Sequence, residues 1–277
     1  MKMSDLPLPP TASRTVPVLA CADGRRAARA DCVALETPVA LEFNGIAHAV
    51  MMATPLDLED FALGFALSEC IVAQASDIYA LESEATEQGW IVRLEVASEC
   101  FARLKGMRRT LAGRTGCGLC GTESLVHALR RPPPVRADGR VAPAALARAM
   151  QALQEGQPLR AQTGSTHAAA WCTPEGGVVL LREDVGRHNA LDKLIGALAR
   201  AGVPAAGGFI AITSRASHEM VQKAAQAGVG LLAAVSGVTS LAVDVAQHSG
   251  LTLLGFVRGN DFNIYTHPHR VTGSAPA

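Results

Sequence analysis

The chain has 277 residues, 49% of them apolar, which is enough to bury a substantial core in one large domain or two modest ones and too many for a disordered chain. Lys plus Arg and Asp plus Glu both number 25, so the basic surplus of a nucleic-acid binder is missing and nucleic acid is not an expected partner. The longest apolar run, residues 229–243, is broken by Gly230, Ser236, Gly237, Thr239 and Ser240. It falls short of the roughly 20 residues of a membrane-spanning helix, so no membrane is expected either.

Residues 1–14 carry several prolines and read as a disordered tail without the apolar stretch of a signal peptide. Seven cysteines, an odd number in a chain too long to need disulfide staples, fit a reducing, cytoplasmic setting. A smaller, β-rich α+β domain is expected over residues 15–110. Residues 39–43 read as a strand, Asn44-Gly45 as a hairpin turn, and residues 48–53 as the returning strand. Thr54 then looks like a helix cap, with Pro55 at the first position and Asp57, Glu59 and Asp60 in the early turns. Leu58, Phe61 and Phe65 recur at helical spacing, and residues 90–96 read as a further strand.

Residues 111–159 read as a linker: a glycine-rich loop over 108–121, a short helix from Glu123 stopped by Pro132-Pro133-Pro134, and a helix over 142–155. From residue 160 to the end the rhythm is clearest. Strands are expected over 178–182, 209–213, 231–235 and 251–257. Helices are expected over 189–200, from Ser217 to Ala227, and over 240–248. These strands are nearly all apolar, as in sheets covered on both faces, so the fold class is α/β with a C-terminal three-layer domain.

Two features carry chemistry. The first is Gly116-Cys117-Gly118-Leu119-Cys120-Gly121. Flanking glycines leave a sulfur unscreened, Arg114 nearby favours the thiolate, and an open loop suits a sulfur that must meet a donor and then an acceptor. Competing readings are a zinc site completed by Cys100, His127 and Cys172, a thioredoxin-like redox pair, and a loop with two incidental cysteines. The spacing matches no common zinc pattern, no apolar strand precedes the pair, and four glycines surround it. Cys21, Cys32, Cys70, Cys100 and Cys172 stand singly, as core filler or surface residues. No permanently bound metal is expected; His267-Pro268-His269 is a weak ligand signal.

The second feature lies just beyond the strands, where open α/β sheets bind ligands. Glu183, Asp184, Arg187 and His188 follow the first strand of the C-terminal domain, and Ser214, Arg215, Ser217 and His218 the second. Ser236, Gly237, Thr239 and Ser240 follow the third; Arg258, Gly259, Asn260 and Asp261 follow the last. Backbone N–H groups at helix starts together with Arg187, Arg215 and Arg258 suit a phosphorylated or nucleotide-bearing ligand. The plainer alternative is that Ser217 and Thr239 only cap helices and that Arg187 pairs with Asp184.

These residues resemble a known family, the formate dehydrogenase accessory proteins or FdhD-type sulfur carriers. The likeness runs over about residues 35–267. It is carried by Glu36-Thr37-Pro38, Thr54-Pro55, Cys117-Gly118-Leu119-Cys120-Gly121, Thr166-His167-Ala168-Ala169, the run from Arg182 to Lys193, Ser214-Arg215-Ala216-Ser217, and Gly255-Phe256-Val257-Arg258-Gly259. The resemblance implies a persulfide relay in which a cysteine desulfurase loads Cys117, with Cys120 as its neighbour. The sulfur then passes to molybdenum bis(molybdopterin guanine dinucleotide), the bound acceptor, before insertion into apo formate dehydrogenase. The implied cofactor segment is Phe256, Val257, Arg258, Gly259, Asn260 and Asp261, joined here with Arg187, Ser214, Arg215, Ser236 and Thr239. A homodimer and a C-terminal fold similar to cytidine deaminases are also implied. Deamination itself is not expected, because His167 is followed by Ala168-Ala169 where the zinc signature needs His-x-Glu. The alternative function is a non-catalytic chaperone that holds the guanine-nucleotide cofactor. Cys70 stands where the family usually has glycine.

Overall fold

A computed structural model describes residues 12–109 and 132–273. The first element is a hairpin, β1 (Ser13–Ala22) and β2 (Arg25–Ala34), turning at Asp23 and Gly24 with φ of 49° and 74°. The second turn, Asn44-Gly45, has φ of 47° and 75° and joins β3 (Thr37–Phe43) to β4 (Ile46–Ala53). Two successive positive φ values make the turn whose twist matches paired strands, and Asn-Gly or Asp-Gly accepts them at least cost. Asp23-Gly24 carries the turn signal of the first hairpin, and this hairpin places residues 13 and 14 in a strand instead of the expected tail.

A four-stranded sheet has the order β4-β3-β6-β5, with β5 (Ile78–Thr86) and β6 (Gly89–Val96) joined as a hairpin and β3 parallel to β6. Helix α1 (Leu58–Ser68) supplies Leu58, Phe61 and Phe65, and α2 (Ser98–Arg109) supplies Cys100 and Leu104, to a core shared with Val39, Leu41, Phe43, Val92 and Leu94. The expected Thr54 cap is corrected. The helix begins at Leu58, after Asp57 in the left-handed region with no side-chain cap. Thr54 is fully buried and its hydroxyl accepts from the Val185 N–H at 3.2 Å, so tertiary contacts claim the group that a cap would use.

The second sheet has the order β12-β11-β10-β9-β7-β8. Its strands are β7 (His167–Cys172), β8 (Val178–Asp184), β9 (Phe209–Ile212), β10 (Leu231–Ala234), β11 (Thr252–Arg258) and β12 (Asp261–Ile264). β9, β10 and β11 run parallel; β7 runs against both β8 and β9, and β12 runs against β11. Period-two alternation splits the strands between two faces. Ala169, Trp171, Ile210, Ile212, Leu232 and Leu253 meet α5 (Arg187–Ala201), α6 (His218–Gln226) and α7 (Ser240–Ser249). Ala168, Ala170, Cys172, Phe209, Ala211, Leu231 and Leu254 meet α3 (Pro143–Glu155). The three layers expected from the apolar strands are therefore present, with α4 (Pro158–Thr163) as a short addition before β7. Burial on both faces stabilises each large side chain by about 1.5–3 kcal/mol.

The four-stranded and six-stranded sheets are joined through α1 and α5, which pack against each other. A Cβ placed on Gly64 would land on the Asp192 carbonyl oxygen, and one on Gly196 would land on that of Asp60. Glycine at both positions lets the helix backbones touch. Among the described residues, no helix is long and apolar enough to cross a membrane.

Candidate functional site

The mixed sheet brings six strand termini to one edge. β8, β9, β10 and β11 end there, while β7 and β12, running the other way, begin there: His167 lies opposite Asp184 in the β7–β8 register and Asp261 opposite Arg258 in the β11–β12 register. The loops along this edge are stitched together. Thr213 Oγ1 accepts from the Ala168 N–H at 2.9 Å, tying the end of β9 to the start of β7. Ala216 bridges Val238, Ala216 N–H donates to the Gly237 carbonyl, and Thr239 N–H donates to that of Ala216. Phe256 N–H donates to the Ser236 carbonyl at 3.0 Å. Ser214, Arg215, Ser236, Thr239 and Phe256 therefore follow one another along a single edge.

The run from Arg182 to Lys193 feeds this edge, yet most of it faces the other lobe. Arg182 grips Asp60 of α1 through Nη2 at 2.7 Å and Nε at 2.9 Å. Glu183 accepts from the N–H groups of Leu159 and Arg160 and from the Thr166 hydroxyl; burial raises its carboxyl pKa, and these bonds oppose the rise. Asp184, fully buried, accepts from Lys193 Nζ at 2.7 Å, Thr54 N–H, Gly186 N–H and Asn189 Nδ2. Asn189 Nδ2 also reaches the Met52 carbonyl, and Lys193 Nζ the Thr54 carbonyl. Farther along α5, Asp192 accepts from Ser68 Oγ at 2.7 Å and from Lys223 Nζ at 3.0 Å on both oxygens. Burial alone would lower the Lys223 pKa, but Asp192 and Glu69 hold it above the usual lysine value.

Two residues of the run turn to the sheet edge instead. Arg187 does not pair with Asp184, and among the described residues its shielded Nε has no hydrogen-bond partner. His188 Nε2 meets Glu219 Oε2 of α6 at 2.7 Å, a bond that keeps Glu219 ionised below its usual range. Ser217 does occupy the N-cap position of α6, but its hydroxyl makes no cap bond and is shielded without a described partner. Thr239 is a working cap of α7, accepting from Ala242 N–H at 3.3 Å. His167 was not among the expected site residues, because an alanine-rich β7 running against its neighbours is not visible in the sequence pattern. Its Nδ1 is likewise without a described partner, and burial followed by Arg187, Arg160 and His188 pushes its pKa down.

The segment from Phe256 to Asp261 forms the far end of the row. Phe256 is 45% exposed with φ of 55°, a costly backbone for a bulky residue, and its ring lies over Gly237, where a Cβ would stand 3.0 Å from the ring. Val257 points into the core beside α3. Arg258, Asn260 and Asp261 are exposed around the β11–β12 turn, with Gly259 at φ 57°. Arg258 and Arg215 enter no ion pair among the described residues. Cys117, Cys120 and the expected helix from Glu123 lie outside the described residues. Cys100 and Cys172 sit in separate cores, so they do not share a metal site, and no cluster of potential metal ligands occurs among the described residues. Burial raises the Cys172 thiol to about 12, which keeps it unreactive. His267 and His269 stack edge to face at 6.0 Å.

The family model for FdhD/NarQ matches residues 34–272. The chain belongs to that family. A protein named sulfur carrier protein FdhD from Variovorax paradoxus is 58% identical over 99% of this chain and 98% of its own length. A relative of the same name from Cupriavidus necator is 57% identical over 88% of this chain and 85% of its own length. A crystal structure from Desulfotalea psychrophila, assigned as a formate dehydrogenase accessory protein, superposes with a TM-score of 0.75 over 94% of this chain and 99% of its own, at 24% identity. That likeness shows a shared α/β fold. The departure at Cys70 also has a physical meaning: this residue follows the end of α1 with φ of 55°, the region that favours glycine.

Proposed function

We propose that this FdhD/NarQ-family chain is a cytoplasmic sulfur carrier for formate dehydrogenase maturation, with Cys117 as the sulfur-bearing residue. The observation that carries the reading is relatedness: relatives named sulfur carrier protein FdhD are 54–58% identical over most of the chain. The thiolate of Cys117 attacks the terminal sulfur of a persulfide on a cysteine desulfurase. The bond to the desulfurase cysteine breaks, that cysteine leaves as a thiolate, and Cys117 retains the sulfur as its own persulfide with no net redox change. The acceptor substrate is the guanine-nucleotide molybdenum cofactor destined for apo formate dehydrogenase. Its nucleotide ends would lie on the strand-end row, with the exposed Phe256 ring and Arg258 as one wall and Arg187, Ser214, Arg215, Ser236 and Thr239 along it. The uncompensated Arg215 and Arg258 support this part of the reading. A homodimer formed through the C-terminal layers, in a fold like that of cytidine deaminases, belongs to the same proposal.

Intact-mass analysis after incubation with a cysteine desulfurase and cysteine tests the carrier role. One added sulfur on the peptide holding Cys117 is expected, and Cys117→Ala abolishes it. Persistent loading in that variant overturns the assignment, and no loading in either protein favours a cofactor-holding chaperone. Calorimetric titration with guanosine diphosphate tests the row. A charge-assisted contact is worth roughly 1.5–3 kcal/mol, so Arg258→Ala should weaken binding about tenfold or more while leaving sulfur loading intact. Light scattering that shows a monomer at micromolar concentration would remove the dimer.

A further inference from the structure

The inner corner of the sheet edge is distinct from the Phe256–Arg258 wall. Between β7 and β11 lie three strand spacings in the order β7-β9-β10-β11, or about 14 Å. Here three side chains from three separate elements each hold a shielded polar atom that no described residue satisfies: His167 Nδ1 at the start of β7, Arg187 Nε in the first turn of α5, and Ser217 Oγ at the cap of α6. An isolated orphan can be an accident of packing. Three in one corner are costly, because each shielded polar group without a partner forfeits about 1–3 kcal/mol.

The cluster is physically connected. His167 lies close enough to feel Arg187 and His188, and His188 is fixed by Glu219, two residues beyond Ser217. The contrast with Thr239 is informative, since that cap hydroxyl is spent on Ala242 N–H while the Ser217 hydroxyl is not spent on α6. The neighbouring carboxylates are already engaged: Asp184 with Lys193, and Glu219 with His188. Arg187 is therefore left as a cation without a counter-ion among the described residues, beside a hydroxyl and an imidazole able to donate.

We infer that His167, Arg187 and Ser217 form a binding subsite for a phosphate-class oxyanion at the inner corner of the sheet. An oxyanion accepts from all three groups at once, whereas an apolar ligand would leave them unsatisfied and a cation would meet Arg187. The starts of α5 and α6 add their N–H dipoles. The charged groups around His167 are Arg187 and His188 of α5, Arg160 of α4 and Asp184 of β8; cations prevail, and a bound anion would offset them and make the imidazole easier to protonate. This deepens the nucleotide-end reading by naming the anion-holding corner, and it is tested separately from it.

The experiment uses the full chain, labelled with 15N, with imidazole resonances assigned by His167→Gln. Inorganic phosphate, added at constant ionic strength against chloride, is expected to shift the His167 signals saturably and to raise its titration midpoint. Arg187→Gln should weaken that response tenfold or more, and Arg187→Lys should restore part of it; amide spectra check that both variants fold. Arg258→Ala should leave the phosphate response unchanged. An unresponsive His167 in the wild type, or an equal response in Arg187→Gln, overturns the inference. A parallel titration with guanosine diphosphate separates the sources of the anion. If the diphosphate also moves His167, the corner holds a nucleotide phosphate. If only phosphate does, it holds a free oxyanion. If guanosine diphosphate binds through Arg258 while neither ligand moves His167, the corner falls and the nucleotide wall stands. If it does not bind at all while phosphate still moves His167, the wall falls and the corner stands.

Discussion

The lobe junction and the sheet edge draw on the same twelve-residue run, Arg182 to Lys193, and treat it in opposite ways. At the junction every charge has a partner: Asp184 meets Lys193, Asp60 meets Arg182 and Arg200, and Asp192 meets Lys223. At the edge, Arg187, Arg215 and Arg258 have no carboxylate among the described residues, and Ser217 Oγ and His167 Nδ1 have no described partner. A saturated polar network rigidifies and specifies a packing, while an unsaturated one beside solvent keeps capacity for a ligand. The junction is thus the part whose loss should unfold the protein, and the edge the part whose loss should leave a folded but altered one.

The largest effect should come from the junction. Asp184→Ala removes the acceptor for Lys193 Nζ and for Thr54 N–H, Gly186 N–H and Asn189 Nδ2, all in a fully buried setting. Breaking one partner of such a pair costs about 3–5 kcal/mol, so denaturant unfolding should show a large loss of stability or no soluble protein at all. A second break, Gly196→Ala, forces a methyl against the Asp60 carbonyl and should cost about 1–3 kcal/mol or more as α1 and α5 separate. If either variant proves as stable as wild type, the junction does not hold the lobes together.

The contrast sharpens with substitutions of smaller effect. Cys70→Gly removes a side chain from a left-handed backbone and should raise stability by about 1 kcal/mol in urea unfolding, with sulfur loading unchanged. Arg187→Gln should lower stability by no more than about 0.5 kcal/mol, since Arg187 satisfies nothing at the junction and its unpartnered Nε goes with it. The smallest effect is one of pH. The folded pKa of His167 is lowered, so below the unfolded value of about 6.5 the unfolded chain binds a proton that the folded chain refuses. That contribution lowers stability as pH falls through this window and levels off below the folded pKa. Comparing thermal unfolding at neutral and mildly acid pH, His167→Gln should lose less than wild type; an equal loss would show that His167 is not the titrating group.

The sequence alone carried the elements whose logic is local. Asn44-Gly45 specifies its turn because only a few residue types accept two positive φ values, and the apolar runs of β9, β10 and β11 announce a sheet covered on both faces. The expected strand positions also place Arg215 just after β9 and Arg258 at the end of β11, both on the exposed side of the sheet edge. Tertiary structure decided the rest. Thr54 looked like a helix cap and became a partner of Val185 N–H, since a residue 131 positions away claims its hydroxyl. β7 is a run of small residues with no helical or strand signature of its own; packing between α3 and α5 makes it a strand, and its reversed direction delivers His167 to the site. From the Arg182–Lys193 run only Arg187 was expected to hold the ligand at the edge, with a pair to Asp184 as the plainer alternative; the side chains of the run in fact divide between two surfaces. That division is set by which neighbours α5 meets on each face, and contacts so distant in sequence leave no periodic trace in it.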